Sequence, residues 1–290
     1  MEKRNIIILG AKGQLGSELV RECQAKSDWM VHPFSHDKVD VTRTETLQSL
    51  FKKNPPSIVL NCTAYNQVET AQSEPDRAFA INTGAVAALA MLCQQIDALF
   101  VHFSTDYVFD GEKDRPYIEE DTVVPINIYG LSKAAGEKAV RILHPKHCII
   151  RTCGLYGTSH SPRAKRNFVE AILTKAKEKA PIQVRDDSIC TPTSASELAS
   201  ATFKLLEKNA TGTFHITNEG SCSWFEFACE ILKIMGTSHE VLPLQNPTAI
   251  YKTPRPRYTV LDNSKIKKYG IQLSSWQVAL ADYLKKRSSL

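Results

Sequence analysis

A doubly wound α/β sheet of parallel strands, followed by a smaller α/β lobe, is the fold that the sequence predicts. Short apolar runs alternate with helix-period stretches through the first half of the chain. The first, third and fourth runs are almost continuously apolar, as strands covered on both faces are. A glycine-rich stretch follows the first run directly.

The elements follow in order. NIIIL (5–9) is the first strand, and GAKGQLG opens a helix over 14–25. MVHPF (30–34), SIVLN (57–61), ALFVHF (98–103) and HCIIR (147–151) are further strands, separated by helical patterns at 43–53, 76–95 and 130–143. Beyond about residue 155 the loops lengthen and become richer in Pro, Asn and Ser. Helices are expected there at 165–178, 194–207, 223–235 and 275–287, with short strands at IQV (182–184) and TFHIT (213–217). Residues 1–155, with some later elements returning to the sheet, form the expected first domain, and 156–290 form mainly a substrate-facing lobe.

Composition narrows the function classes. The 290 residues carry a formal charge of +5, and the basic runs RAKR (163–166) and KIKK (265–268) are short, so no nucleic-acid partner is expected. The eight cysteines include no CxxC pair and no zinc-finger spacing with histidine. Most lie in apolar runs, which points to free thiols in a reducing, cytoplasmic compartment. The apolar stretch in MEKRNIIILG is too short for a signal peptide, and no segment is expected to span a membrane.

The glycine spacing carries the first functional reading. Gly10, Gly13 and Gly16 form GxxGxxG between a strand and a helix, the context of a Rossmann-type dinucleotide site. Glycines allow the tight turn, and the helix N-terminus offers N–H groups to a pyrophosphate. Gly10, Gly13, Gln14, Leu15 and Gly16 are therefore candidate cofactor contacts. The second strand ends without a carboxylate directly at its tip, while His36 and Lys38 follow it. That favours NADPH, whose 2′-phosphate they would meet, with NADH as the alternative. Asp40 and Val41 are placed at the adenine edge, and Thr63, Ala64 and Tyr65 beside the cofactor at the third strand's end.

The second reading is catalytic. FSTDYVFDG puts Ser104 and Thr105 at the carboxyl end of the fourth strand, where open α/β sheets bind ligands. Tyr129 and Lys133 follow at i, i+4, on one helix face, and no other tyrosine here has a lysine four positions later. A phenol is a poor proton donor or acceptor at neutral pH, and a nearby ammonium favours its ionised form. The expected chemistry is hydride delivery to a carbonyl carbon, with Tyr129 protonating the developing alkoxide. Thr105 would hydrogen-bond the same oxygen, and Lys133 would also hold the nicotinamide ribose.

These motifs resemble the extended short-chain dehydrogenase/reductases, and among them the dTDP-4-dehydrorhamnose reductase family. The resemblance runs over nearly the whole chain through GAKGQLG, NCTAYNQVETAQSEP (61–75), STDYVFDG, PINIYGLSKAAGEKAV (125–140), RNFVEAIL (166–173), TPTSASELA (191–199), GTFHITNEGSCSWFEFA (212–228) and RPRY (255–258). It implies a catalytic Thr105, Tyr129 and Lys133, and NADPH-dependent reduction of the 4-keto group of dTDP-4-dehydro-L-rhamnose for a cell-surface polysaccharide. It also implies a nucleotide-diphosphate sugar held by Val68, Ser104, Thr105, Asp106, Tyr129, Asn167, Phe168 and Arg255. Arg255 would take the diphosphate, since a guanidinium forks onto phosphate oxygens. Related dehydratases carry Asp-Glu after the threonine; Asp106-Tyr107 here excludes that elimination.

Two departures bear on the details. Gly154 in RTCGLYG replaces a tryptophan common in the family, which leaves the sugar pocket roomier or filled otherwise. Some relatives bridge dimers through Mg²⁺ on glutamates. Glu18 and Glu197 match two such positions, but Lys286 stands at the third, so no metal is expected there. The chain is expected to be a monomer or homodimer. Alternatives are a reductase or epimerase-reductase of a different nucleotide-linked ketosugar, or a non-catalytic NADP(H)-binding regulatory subunit.

Overall fold

A computed structural model describes residues 4–159, 167–244, 250 and 252–288. The RAKR run lies outside these residues, as does part of the loop before Arg255. Six parallel strands form the central sheet in the order β2-β1-β3-β4-β5-β10. They are β1 (Arg4–Leu9), β2 (Trp29–Phe34), β3 (Ile58–Asn61), β4 (Leu99–Thr105), β5 (His147–Thr152) and β10 (Gly212–His215). The expected TFHIT strand is thus a returning element, paired with β5.

Helices cover both faces, as the apolar strand runs require. On one face α1 (Gln14–Gln24) and α8 (Ala195–Glu207) close a core of Ile6, Ile8, Leu15, Leu19, Val101, Ile150, Leu198 and Phe203. On the other, α2 (Thr44–Lys53), α5 (Ala85–Gln95) and α6 (Ile128–Leu143) pack on Ile7, Val59, Phe100 and Ile149. A second core joins α7 (Phe168–Lys177), β7 (Ile182–Val184), α9 (Trp224–Ile234) and the terminal helix α11 (Trp276–Ser288) around Ile172, Phe227, Ile231 and Trp276. Residues on both sides of position 155 share the first core.

The structure adds elements that periodicity did not reveal. Helix α3 (Val68–Ser73) is one, and the expected helix at 76–95 proves to be α4 (Pro75–Phe79) running through a π turn at Ala80–Gly84 into α5. The short strands β6 (Leu155–Tyr156), β8 (Ile189–Cys190), β9 (Thr193–Ser194), β11 (Cys222–Ser223) and β12 (Val241–Pro243), and the one-turn helix α10 (Ser264–Lys267), were also hidden. The expected helix at 165–178 begins only at Phe168 among the described residues.

The continuous helix Pro75–Gln95 is long and apolar enough, by length and composition, to cross a membrane. Its Val86, Leu89, Ala90 and Cys93 are buried against the sheet, which accounts for the apolar composition.

Candidate active site

The glycine loop forms as its spacing requires. Gly10 has φ +79°, and a Cβ there would lie 3.1 Å from the main chain of Cys62. At Gly16 a Cβ would come within 2.2 Å of the Gly10 carbonyl. The turn therefore packs directly against the end of β3, and Gly13 is the N-cap of α1, with no side-chain cap on its first N–H groups. Such a cradle, closed to side chains and open at the helix N-terminus, fits a pyrophosphate. Gln14 and Leu15 form the first turn of α1, with Leu15 buried.

Around that loop the expected contacts separate. Thr63 donates to Asn61 Oδ1 through both N (3.1 Å) and Oγ1 (2.6 Å), while Ala64 is exposed beside it. The Tyr65 hydroxyl donates to Glu74 at 2.9 Å, and its ring is buried. Asp40 accepts from Thr42 N and Oγ1, and Val41 belongs to the core. His36 and Lys38 are exposed next to β2. Asp37 stands three residues past Phe34, so no carboxylate sits directly at the tip of β2. Asp37 is held by Ser35 Oγ at 2.5 Å and by Lys12 Nζ at 3.2 Å, and these bonds lower its pKa to about 2.

The catalytic candidates do come together. α6 begins two residues earlier than its periodicity suggested, because Asn127 Oδ1 caps Gly130 N at 2.8 Å. Gly130 has no room for a side chain, since a Cβ would meet the Tyr107 carbonyl at 2.1 Å. This close approach brings Tyr129 edge-on to Tyr107, with centroids 5.9 Å apart, and up to Thr105 at the end of β4. Burial pushes the Tyr129 phenol well above its ordinary pKa, and the Thr105 hydroxyl offsets part of this.

Lys133 is 1% exposed. Its Nζ donates to the Phe103 carbonyl at 2.6 Å and lies 3.3 Å from His102 Nε2. Burial lowers its pKa to about 8, against a smaller upward pull from Glu137. The expected depression of the phenol pKa by Lys133 is therefore not what the structure has. The ammonium is turned to β4, and desolvation dominates at the phenol.

Two residues that hold this arrangement were missed. His102, fully buried, bridges Lys133 and Asn61 Nδ2 (3.3 Å), and its pKa falls well below the ordinary value through burial and the Lys133 charge. Asn82, in the π turn, receives Tyr65 N at 2.9 Å and donates to Tyr65 O and Ser132 Oγ at 3.0 Å. It ties the β3 loop to the catalytic helix. The only trace in sequence is a polar Asn-Thr-Gly inside an apolar helical run, the kind of place where a π turn serves a site.

The sugar-side candidates are more dispersed. Ser104 is buried, with its hydroxyl toward Glu137. Asp106 is buried and bonded to Thr105 and Cys153. Val68 opens α3, whose Glu69 accepts Thr253 Oγ1 and Arg255 Nη2, each at 2.9 Å. Arg255 Nη1 also reaches the Tyr107 hydroxyl at 3.4 Å, which places the guanidinium at the rim of the catalytic group. Asn167 caps α7 through Glu170 N at 3.0 Å and donates to the Gly157 carbonyl at 2.8 Å. Phe168 packs on Trp224, with centroids 4.7 Å apart.

That indole answers the question raised by Gly154. A Cβ at Gly154 (φ +53°) would lie 3.3 Å from Trp224 Cη2, so the space is filled from α9. Glu18 pairs with Arg21, and Glu197 accepts from Ser274 N and Asn218 Nδ2. Among the described residues no group of three or more His, Cys, Asp or Glu is arranged to hold a metal ion.

A parallel sheet with a glycine-cradled helix start, and a Tyr/Lys pair one turn apart beside a strand-end threonine, define an extended short-chain dehydrogenase/reductase. Comparison with known proteins makes the assignment specific: residues 4–289 match the model described as the RmlD substrate binding domain, and the chain belongs to that family. It is 36% identical over 293 residues to dTDP-4-dehydrorhamnose reductase of Burkholderia thailandensis, covering 95% of this chain and 96% of the relative. It is also 36% identical to the spore coat polysaccharide biosynthesis protein SpsK of Bacillus subtilis, over 98% of each chain. The crystal structure of dTDP-4-dehydrorhamnose reductase from Bacillus anthracis in complex with NADP superimposes with a TM-score of 0.92 at 36% identity, covering 99% of this chain and all of that one.

Proposed function

We propose that the protein reduces the 4-keto group of dTDP-4-dehydro-L-rhamnose to give dTDP-L-rhamnose, using NADPH, with NADH as the alternative donor. The observation that carries this is the convergence of Thr105, Tyr129 and Lys133 beside the Gly10–Gly16 cradle. Bound NADPH supplies a hydride to the ketone carbon.

The protein's own part is to hold the ketone and to give a proton. Tyr129 keeps its proton at neutral pH because burial disfavours the phenolate, so it is charged for donation, the role that reduction needs. As the ketone oxygen gains charge, the phenol yields that proton to it, while Lys133, one turn away, would hold the nicotinamide ribose. Thr105 donates a hydrogen bond to the same oxygen. Arg255, released or shared by Glu69, suits the diphosphate, and Phe168 with Trp224 forms an aromatic wall on the nucleotide side. Free cysteines throughout the described residues fit a reducing compartment.

The test follows NADPH absorbance with dTDP-4-dehydro-L-rhamnose and identifies the product. Substrate-dependent oxidation that yields dTDP-L-rhamnose supports the reading. Tight cofactor binding without oxidation would support the non-catalytic alternative, and turnover only with a different nucleotide-linked ketosugar would move the substrate.

A further inference from the structure

A carboxylate inside the catalytic group makes no ion pair among the described residues. Asp106 is 3% exposed. Its Oδ1 accepts the Thr105 hydroxyl at 2.9 Å, and its Oδ2 accepts the Cys153 thiol at 3.0 Å. Thr105 Oγ1 also accepts the Tyr107 backbone N–H at 3.2 Å. A hydroxyl has one hydrogen to donate. While Asp106 is ionised, that hydrogen is committed to it and turned away from a ketone oxygen lying against Tyr129. A protonated Asp106 instead donates into Thr105 Oγ1, and the Thr105 hydrogen is released to the substrate.

We propose that Asp106 works as a neutral acid, fixed by Cys153, that donates to Thr105 and so makes Thr105 a donor to the reacting oxygen. This rests on the reductase reading and deepens it. Asp106 and Cys153 are then positioning residues. The proton that ends on the product oxygen still comes from Tyr129, and the Asp106 proton stays in place through turnover.

The surroundings favour the neutral form. Facing Asp106 are Tyr107 on its own turn, Tyr129 from α6, Cys153 after β5 with Cys190 behind it, and Thr259. Both phenols and the Cys153 thiol are themselves raised by burial, so they are uncharged at neutral pH. Arg255, which acts on Tyr107, is paired with Glu69. Burial raises Asp106 most, and the bonds from Cys153, Thr259 and Thr105 oppose it. A buried carboxylate without a cation is costly unless it takes up a proton.

The test has two readouts. Infrared difference spectra, wild type minus Asp106→Asn, without substrate, should show a protonated carboxylic C=O band at pH 7 that disappears on raising the pH. An ionised carboxylate at pH 7 would overturn the proposal. In kcat profiles with NADPH and the ketosugar, Asp106→Asn should lose the pH dependence that tracks this band. It should also outperform Asp106→Ala, which loses on the order of 10-fold or more, because the amide still donates to Thr105. An Asn variant as impaired as the Ala variant, or one with the wild-type profile, would overturn it. A wild type that shows the band but turns over no ketosugar would instead sink the reductase reading.

Discussion

Helix α6 buries two charges one turn apart, and it treats them in opposite ways. Glu137 is fully buried and bound bidentately by Arg151, with Nε–Oε1 at 2.9 Å and Nη2–Oε2 at 2.8 Å, while Arg141 also reaches it. These bonds pull its pKa below the ordinary value despite burial. Lys133 is equally buried but sits on a neutral carbonyl and a neutral imidazole, and its pKa falls to about 8. The first charge is compensated and holds α6 to β5. The second is under-compensated and stands beside Tyr129. Burying a charge without an opposite partner is costly, so its place in the site is best explained by chemistry.

The largest effect is expected at the compensated pair. Arg151→Ala leaves the Glu137 carboxylate buried against Arg141 alone and should cost about 3–5 kcal/mol in urea unfolding. Replacing both partners by apolar residues should recover much of that loss. A cost below about 1 kcal/mol would remove the contrast, because it would make Arg151 as dispensable as a surface pair.

At the catalytic end, Tyr129→Phe should lower kcat on the order of 10²-fold or more with an unchanged urea midpoint. A variant that loses stability in step with its activity would make Tyr129 a packing residue.

The two charges also differ in how they couple stability to pH. The folded-state pKa of Glu137 is depressed, so its stabilisation is present above the ordinary carboxylate range and is lost as pH falls through the folded value. Lys133 is a base with a depressed folded pKa. Its penalty is complete below about 8 and is relieved as pH rises toward 10.5. The stability difference between Lys133→Met and wild type should therefore shrink over that interval, with the buried thiols common to both chains.

The smallest effect concerns Asn167. If the cap is its main role, Asn167→Ala costs about 1 kcal/mol and Asn167→Asp restores it. A raised substrate KM in the Asp variant would show the sugar-nucleotide contact that the family resemblance implies.

How much of this was legible in the sequence depends on how local each cause is. The strands were legible because apolar runs of that length have few other uses. Gly10 and Gly16 were legible because only glycine tolerates the positive φ of the one and the 2.2 Å approach at the other, and Gly13 completes their spacing. Tyr129 and Lys133 were readable as neighbours from helical geometry alone. Their electrostatics were not: the side chain of Lys133 is drawn to Phe103 and His102, thirty residues away, and no local pattern announces that. The Glu69–Arg255 clasp spans 186 residues, and the filling of Gly154 by Trp224 joins the turn after β5 to the start of α9. Asn82 was hidden because a π turn leaves an apolar helical period almost unchanged.

The measurement that tests the contrast most directly is urea unfolding of Lys133→Met at pH 7, beside its turnover. Release of a shift from 10.5 to about 8 corresponds to about 3 kcal/mol, and loss of the bonds to Phe103 and His102 returns about 1. The account predicts a variant about 2 kcal/mol more stable than wild type with activity lost on the order of 10²-fold. A variant less stable than wild type would contradict it, since Lys133 would then be a structural charge like Glu137.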